Sequence, residues 1–148
     1  IGPFGMVGGQ MLDIIGETKE LELGAVTRMQ RLKTGALIKF SCEAGAIMGR
    51  ASAKHMMDLR NYANNIGLAY QYVDDILDAT ISTQEAGKDT GKDAKAGKST
   101  FVSILGLEKA RNEVDLLINQ AIDHLGAFSP DRVKNLVAIA NYIKTRKR

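Results

Sequence analysis

The sequence has no tryptophan, a single cysteine (Cys42) and only two prolines, Pro3 and Pro130, among 148 residues. One cysteine excludes an internal disulfide framework and suits a reducing cytoplasm. Two prolines leave most of the chain without an obligatory helix breaker. Aromatic residues amount to 5%, too few for a surface that stacks nucleic-acid bases. Long hydrophobic runs are missing too. The longest uncharged stretch, Asn61 to Val73, contains Asn and Gln and falls short of the 18 to 20 or so apolar residues of a membrane span. No basic region followed by an apolar core and cleavage site opens the chain, so no secretory signal is read there. The chain also begins without Met, as IGPFGMVGGQ, and is expected to be cut from a longer protein.

What is abundant is Ala, Leu, Ile, Met, Lys and Glu, which favours helices. The 45% hydrophobic and 25% charged content are ordinary for a soluble globular chain. The net charge of +3 and pI near 9.0 permit an anionic ligand without demanding nucleic acid. Apolar residues recur at helical spacing throughout. Gly5 to Gly16 reads as a helix whose paired Gly8 and Gly9 let another backbone come close. A long helix from about 23 to 49 presents Val26, Met29, Leu32, Ala36, Phe40, Ala44 and Ile47 on one face, with a bend expected at Lys33-Thr34-Gly35. Gly49 is a C-terminal stop and Ser52 an N-cap. The next helix, about 52 to 79, would span about 42 Å; Leu59, Ala63, Ile66, Tyr70, Val73 and Leu77 form its stripe. A separate turn is expected at 82–86, a Gly- and Lys-rich loop at 87–99, and helices at 107–125, where Ala110, Val114, Leu117, Ala121 and Leu125 line up, and 130–145, opened by Ser129-Pro130. No alternating strand pattern appears. The class is all-α.

Chemistry concentrates in YQYVDDILDAT, residues 70–80. At about 100° per residue, Gln71, Asp74 and Asp78 fall within roughly 60° of one another, with Asp75 at the edge. Carboxylates stacked at i and i+4 repel unless a cation lies between them, and Mg²⁺ is the natural oxygen-seeking candidate. A solvated acidic helix end that binds nothing would read the same way. Lys33 projects into the apolar stripe of its helix, where an ammonium is costly unless an anion meets it; the alternative is a lysine whose amine snorkels to water. Thr34 could share that anion or bond back to its own helix. The lysines of the 87–99 loop could clamp a phosphate, although Asp89 and Asp93 dilute their charge and a solvated loop is the plainer reading. GKST at 97–100 lacks the upstream glycine and strand of a P-loop, so the NTPase reading is rejected. His55 and His124 are distant in sequence and mark no zinc set.

In order along the chain, GMVGGQMLD (5–13), KTGALI (33–38), GLAYQYVDDILD (67–78), AGKDTGKDAKAGKST (86–100), LGLEKAR (105–111) and NYIKTRKR (141–148) resemble the short-chain trans-prenyl diphosphate synthases, specifically the bacterial farnesyl diphosphate synthase (geranyltranstransferase) group. The resemblance covers essentially the whole chain. It implies an isoprenoid-synthase-type bundle of long helices, of which residues 1–148 are the C-terminal part of a single domain. The implied activity is Mg²⁺-dependent condensation of an allylic diphosphate with isopentenyl diphosphate, in a cytoplasmic homodimer. Three Mg²⁺ ions are implied for the complete enzyme, with Asp74, Asp75 and Asp78 as the second aspartate-rich motif. Lys33, Thr34, Gln71, Lys88 and Lys98 match positions that bind the allylic diphosphate, and Lys33, Asp74 and Asp78 are the expected catalytic residues. The first aspartate-rich motif and the isopentenyl diphosphate site precede Ile1 in that family, so this polypeptide alone is expected to be inactive. The rivals are a terpene cyclase or head-to-head synthase, disfavoured by the KTG and GKST segments, and a non-catalytic helical subunit or nucleic-acid module.

Overall fold

A computed structural model describes residues 1–86 and 99–146. Every regular element among the described residues is helical: α1 (Met6–Gly16), α2 (Leu23–Gln30), a π-helical turn (Arg31–Gly35), α3 (Ala36–Met48), α4 (Ala53–Ala86), α5 (Phe101–Leu105), α6 (Leu107–His124) and α7 (Pro130–Thr145). The 34-residue α4, about 51 Å long, is the axis. Helices α2, α3, α5, α6 and α7 and the π turn all pack on it. The turn expected at 82–86 is simply its continuation, because nothing between Gly67 and Gly87 breaks a helix.

Tyr62, Ala63, Ile66, Ala69, Tyr72 and Val73 of α4 are buried, against Val114, Leu117, Ile118 and Ala121 of α6 and Val133, Ala140 and Ile143 of α7. The α6 stripe lies where its spacing puts it. Helix α4 buries more than its stripe because it has neighbours on several sides. Near its start the Tyr62 hydroxyl donates to the Leu136 carbonyl at 2.8 Å, tying α4 to α7.

The stripe expected along 23–49 does not continue unbroken. Val26, Met29 and Gln30 are buried, but the next buried residue is Gly35, and the core-facing series then runs Ile38, Cys42, Ala46. Phe40 and Ile47 point outward, 61% and 67% exposed. The step of five between Gln30 and Gly35 is the π turn itself. One extra residue per turn advances the register, so positions that a continuous α-helix would bury rotate to the surface. Exposed apolar side chains therefore line α3 (Leu37, Phe40, Ile47, Met48), and a second exposed apolar set lies on α1 (Val7, Met11, Ile14, Ile15).

Helix ends also follow local chemistry. At the end of α3, Arg50 N–H bonds to the Ile47 carbonyl and Ala51 N–H to Ala46, the paired bonds of a Schellman closure. The left-handed residue there is Arg50, at φ 52°, not Gly49. Helix α5 escaped the sequence reading because five residues are too few to show a period. A capping box sets it: Thr100 Oγ1 accepts from Ser103 N–H and Ser103 Oγ accepts from Thr100 N–H. It stops at Gly106, whose φ of 85° suits glycine.

Candidate active site

The π turn and α4 meet through glycine. A Cβ on Gly67 would lie 3.0 Å from the Gly35 Cα, so the two backbones are nearly in contact. One turn further along α4, Gln71 faces the same way. Its amide Nε2 donates to Thr34 Oγ1 at 2.9 Å and to Asp74 Oδ2 at 3.3 Å. Three residues singled out in the sequence are therefore joined in one hydrogen-bonded chain: Thr34, Gln71, Asp74. π turns recur at functional positions because they re-aim side chains that an α-helix would point elsewhere.

Lys33 finds its anion within the chain. Its ammonium lies 2.6 Å from Asp13 Oδ2, and Asp13 on α1 is 4% exposed. The sequence reading required an anion at this position but did not identify Asp13 as its source. The approach requires Gly9, where a Cβ would come within 2.2 Å of the Lys33 backbone nitrogen. Gly9 and Asp13 are one turn apart on the face of α1 that presses on the π turn. An acid four residues after a glycine in an apolar run was the available signal for Asp13. Lys33 keeps a third of its side-chain surface exposed.

Arg146, beyond the end of α7, completes the group. Its guanidinium lies 3.9 Å over the Tyr70 ring, donates to the Tyr70 carbonyl at 3.1 Å and pairs with Asp74 Oδ1. Both Asp74 oxygens are therefore engaged, one by Gln71 and one by Arg146. No periodicity argument could have found Arg146, since its partners lie in α4, more than 70 residues earlier.

The polyprenyl synthetase family profile matches residues 3–140. The chain belongs to the polyprenyl synthetase family. Among its relatives, geranylgeranyl pyrophosphate synthase 4 of Arabidopsis thaliana is 40% identical over 99% of this chain and 40% of its own length. The heterodimeric geranylgeranyl pyrophosphate synthase large subunit 1 of the same plant is 43% identical, again over 99% of this chain and 40% of its own length. A crystal structure of an FPP/GFPP synthase from Zymomonas mobilis superposes with a TM-score of 0.82 at 44% identity, covering 97% of this chain and 46% of that one. The chain spans about 40% of the length of these curated relatives. The all-α isoprenoid-synthase fold read from the sequence is the fold observed.

Within this polyprenyl synthetase chain the remaining expected residues are distributed unevenly. Asp78 is exposed on α4, one turn beyond Asp74. Asp75 Oδ2 accepts a 2.7 Å hydrogen bond from Phe101 N–H. Lys88 and Lys98 lie outside the described residues. Among the described residues no group of three or more His, Cys, Asp or Glu forms a metal cage; what α4 offers is the Asp74 and Asp78 pair. That donor set fits Mg²⁺ as a partial site, because the ion keeps waters and takes phosphate oxygens alongside one or two carboxylates.

Other reactive groups stand apart. Burial, and then the Glu43 charge, raises the Cys42 thiol pKa, which keeps it protonated and poorly nucleophilic. Burial, reinforced by Glu113 and Asp75, likewise raises the Tyr72 phenol pKa. His55 packs on Phe128 with centroids 4.5 Å apart. No helix among the described residues is long and apolar enough to cross a membrane.

Proposed function

We propose that the whole protein is a Mg²⁺-dependent prenyltransferase, in which residues 1–148 form the C-terminal part of one helical domain. It joins an allylic diphosphate (dimethylallyl or geranyl) to isopentenyl diphosphate, releasing diphosphate and a short-chain product. Family membership supports the reaction class. Both farnesyl and geranylgeranyl names occur among the relatives, which supports a short-chain product. The observation that carries the reading is the Thr34–Gln71–Asp74 chain beside Lys33.

In this reading Asp74 and Asp78 would hold the metal that the diphosphate needs. The Lys33 ammonium and Thr34 hydroxyl bind its other oxygens. Gln71 fixes Thr34 and Asp74 relative to each other, so the two kinds of phosphate contact arrive in register. Bound magnesium would supply charge neutralisation of the leaving group. Lys33 adds to that electrostatic stabilisation as the allylic carbon–oxygen bond breaks. The isopentenyl double bond attacks the allylic carbon and the new five-carbon unit loses a proton. Aliphatic walls keep out water that would otherwise capture the cation. Lys88 and Lys98 are proposed as further diphosphate contacts. The exposed apolar faces of α1 and α3 support burial in a larger assembly, proposed as a homodimer, and the lone Cys42 supports a cytoplasmic setting.

The test uses the protein expressed from its complete reading frame. Asp74→Ala should lower condensation of labelled isopentenyl diphosphate by orders of magnitude and weaken Mn²⁺ binding measured by paramagnetic resonance, with helical circular dichroism unchanged. Lys33→Gln, which removes the positive charge, should weaken allylic diphosphate binding measured by calorimetry with Mg²⁺. Normal turnover in the Asp74 variant would remove the metal assignment.

A further inference from the structure

Two consecutive side chains of the π turn, Lys33 and Thr34, are each held from a different helix. Thr34 Oγ1 accepts from Gln71 Nε2 of α4 at 2.9 Å. Lys33 Nζ donates to Asp13 Oδ2 of α1 at 2.6 Å. Gln71 is itself among the residues assigned to the diphosphate, whereas Asp13 is not.

The two members of the Asp13–Lys33 pair differ in freedom. The Asp13 side chain is 6% exposed and that of Lys33 33%. Asp13 belongs to α1 (Met6–Gly16), which presses on the π turn at Gly9, where a Cβ would come within 2.2 Å of the Lys33 backbone nitrogen. A short carboxylate side chain enclosed by packing has little room to move. A lysine carries its ammonium on a flexible four-carbon stem, and ordering such a side chain when a ligand binds costs affinity. The acid is therefore the fixed member of the pair, and the ammonium is the group being placed. An ammonium has three N–H donors, of which this bond takes one.

Resting on the function proposed above, we propose that Asp13 is a positioning residue for the allylic diphosphate. It holds the Lys33 ammonium in place before the diphosphate arrives, as Gln71 holds the Thr34 hydroxyl. The ordering of the lysine stem is then complete before binding, and both phosphate contacts start in register. Asp13 acts through Lys33 and touches no substrate. Its negative charge repels a diphosphate, so what it contributes is the place of the amine, and an uncharged acceptor oxygen there would serve as well. The role needs only this one bond, whatever other groups the carboxylate meets.

The test uses the protein from its complete reading frame and geranyl diphosphate as the probe. Asp13→Asn keeps an acceptor oxygen for Lys33, and Asp13→Ala removes it. Calorimetry with Mg²⁺, in the absence of isopentenyl diphosphate, should show D13A binding about fivefold more weakly, the scale of ordering one lysine side chain. D13N should stay within about twofold of wild type. A double-mutant cycle then shows whether Asp13 acts through Lys33: in a Lys33→Met background, Asp13→Ala should weaken binding no further. D13A binding as tightly as wild type would overturn the proposal, as would D13N binding as weakly as D13A. An undiminished Asp13→Ala effect in the Lys33→Met background would overturn it too. Should D13A fail to fold, D13S, whose oxygen stops short of Lys33, takes its place in every comparison. If Lys33→Met alone leaves the affinity unchanged, the diphosphate role of Lys33 has failed and this role with it; a weakened Lys33→Met beside an inert D13A removes the Asp13 role only.

Discussion

Helix α1 and the π turn are in backbone contact at Gly9, and a single methyl group there should be felt at the site. A Cβ at Gly9 would lie 2.2 Å from Lys33 N and 2.6 Å from Lys33 Cα. Ordinary contact begins near 3.4 Å, so α1 must retreat by about 1.2 Å if the turn holds still. Backbone cannot rotate out of the way as a side-chain end can. Overpacking of this kind costs about 1–3 kcal/mol, and a backbone clash belongs at the upper end, about 3. Alanine recovers about 1 kcal/mol through helix propensity, leaving Gly9→Ala destabilised by about 2 kcal/mol. Retreat of α1 also draws Asp13, one turn along the same face, away from Lys33, so allylic diphosphate binding should change as well. Gly45 is the control. It lies within α3, and a Cβ there would meet nothing within 4 Å, so Gly45→Ala should gain about 1 kcal/mol. Gly67→Ala, 3.0 Å from Gly35 Cα, should fall between them. Urea unfolding of the three variants measures the order. Gly9→Ala as stable as Gly45→Ala would refute the close approach.

Two further predictions concern tyrosine and arginine. Burial, and then the Cys42 charge, raises the Tyr62 phenol pKa well above its ordinary value, and Tyr72 is raised too. The folded state therefore holds these protons more tightly. Their stabilisation is complete below about pH 10 and declines as pH rises toward the folded values, by about 1.4 kcal/mol per pH unit for each tyrosine. Tyr62→Phe should cost about 1 kcal/mol at neutral pH, for the lost bond to Leu136, and should flatten that alkaline decline; an unchanged slope in pH-dependent unfolding would count against it. On the metal role proposed for Asp74, its Arg146 partner competes with the cation, so Arg146→Ala should tighten Mn²⁺ binding by about 1–2 kcal/mol, the scale of charge repulsion across several ångströms in a watery site. Weaker or equal binding in resonance titrations would contradict the competition.

The sequence alone determined the helical class, the two stripes on which α4 and α6 pack, and the grouping of Gln71, Asp74 and Asp78. All are properties of short windows, because the helical period repeats within a few residues and the apolar pattern must match it. It also located the disturbance at Lys33-Thr34-Gly35, since glycine weakens a helix wherever it occurs. Tertiary structure decided the rest. That the disturbance is a π turn, which swings Phe40 and Ile47 outward and brings Thr34 to Gln71, depends on α4 lying against Gly35. The partners of the charged groups are likewise remote in sequence: Asp13 is 20 residues from Lys33, Phe101 is 26 from Asp75, and Arg146 is 72 from Asp74. Periodicity specifies which face of a helix turns inward; which charge waits there is settled only when the helices pack.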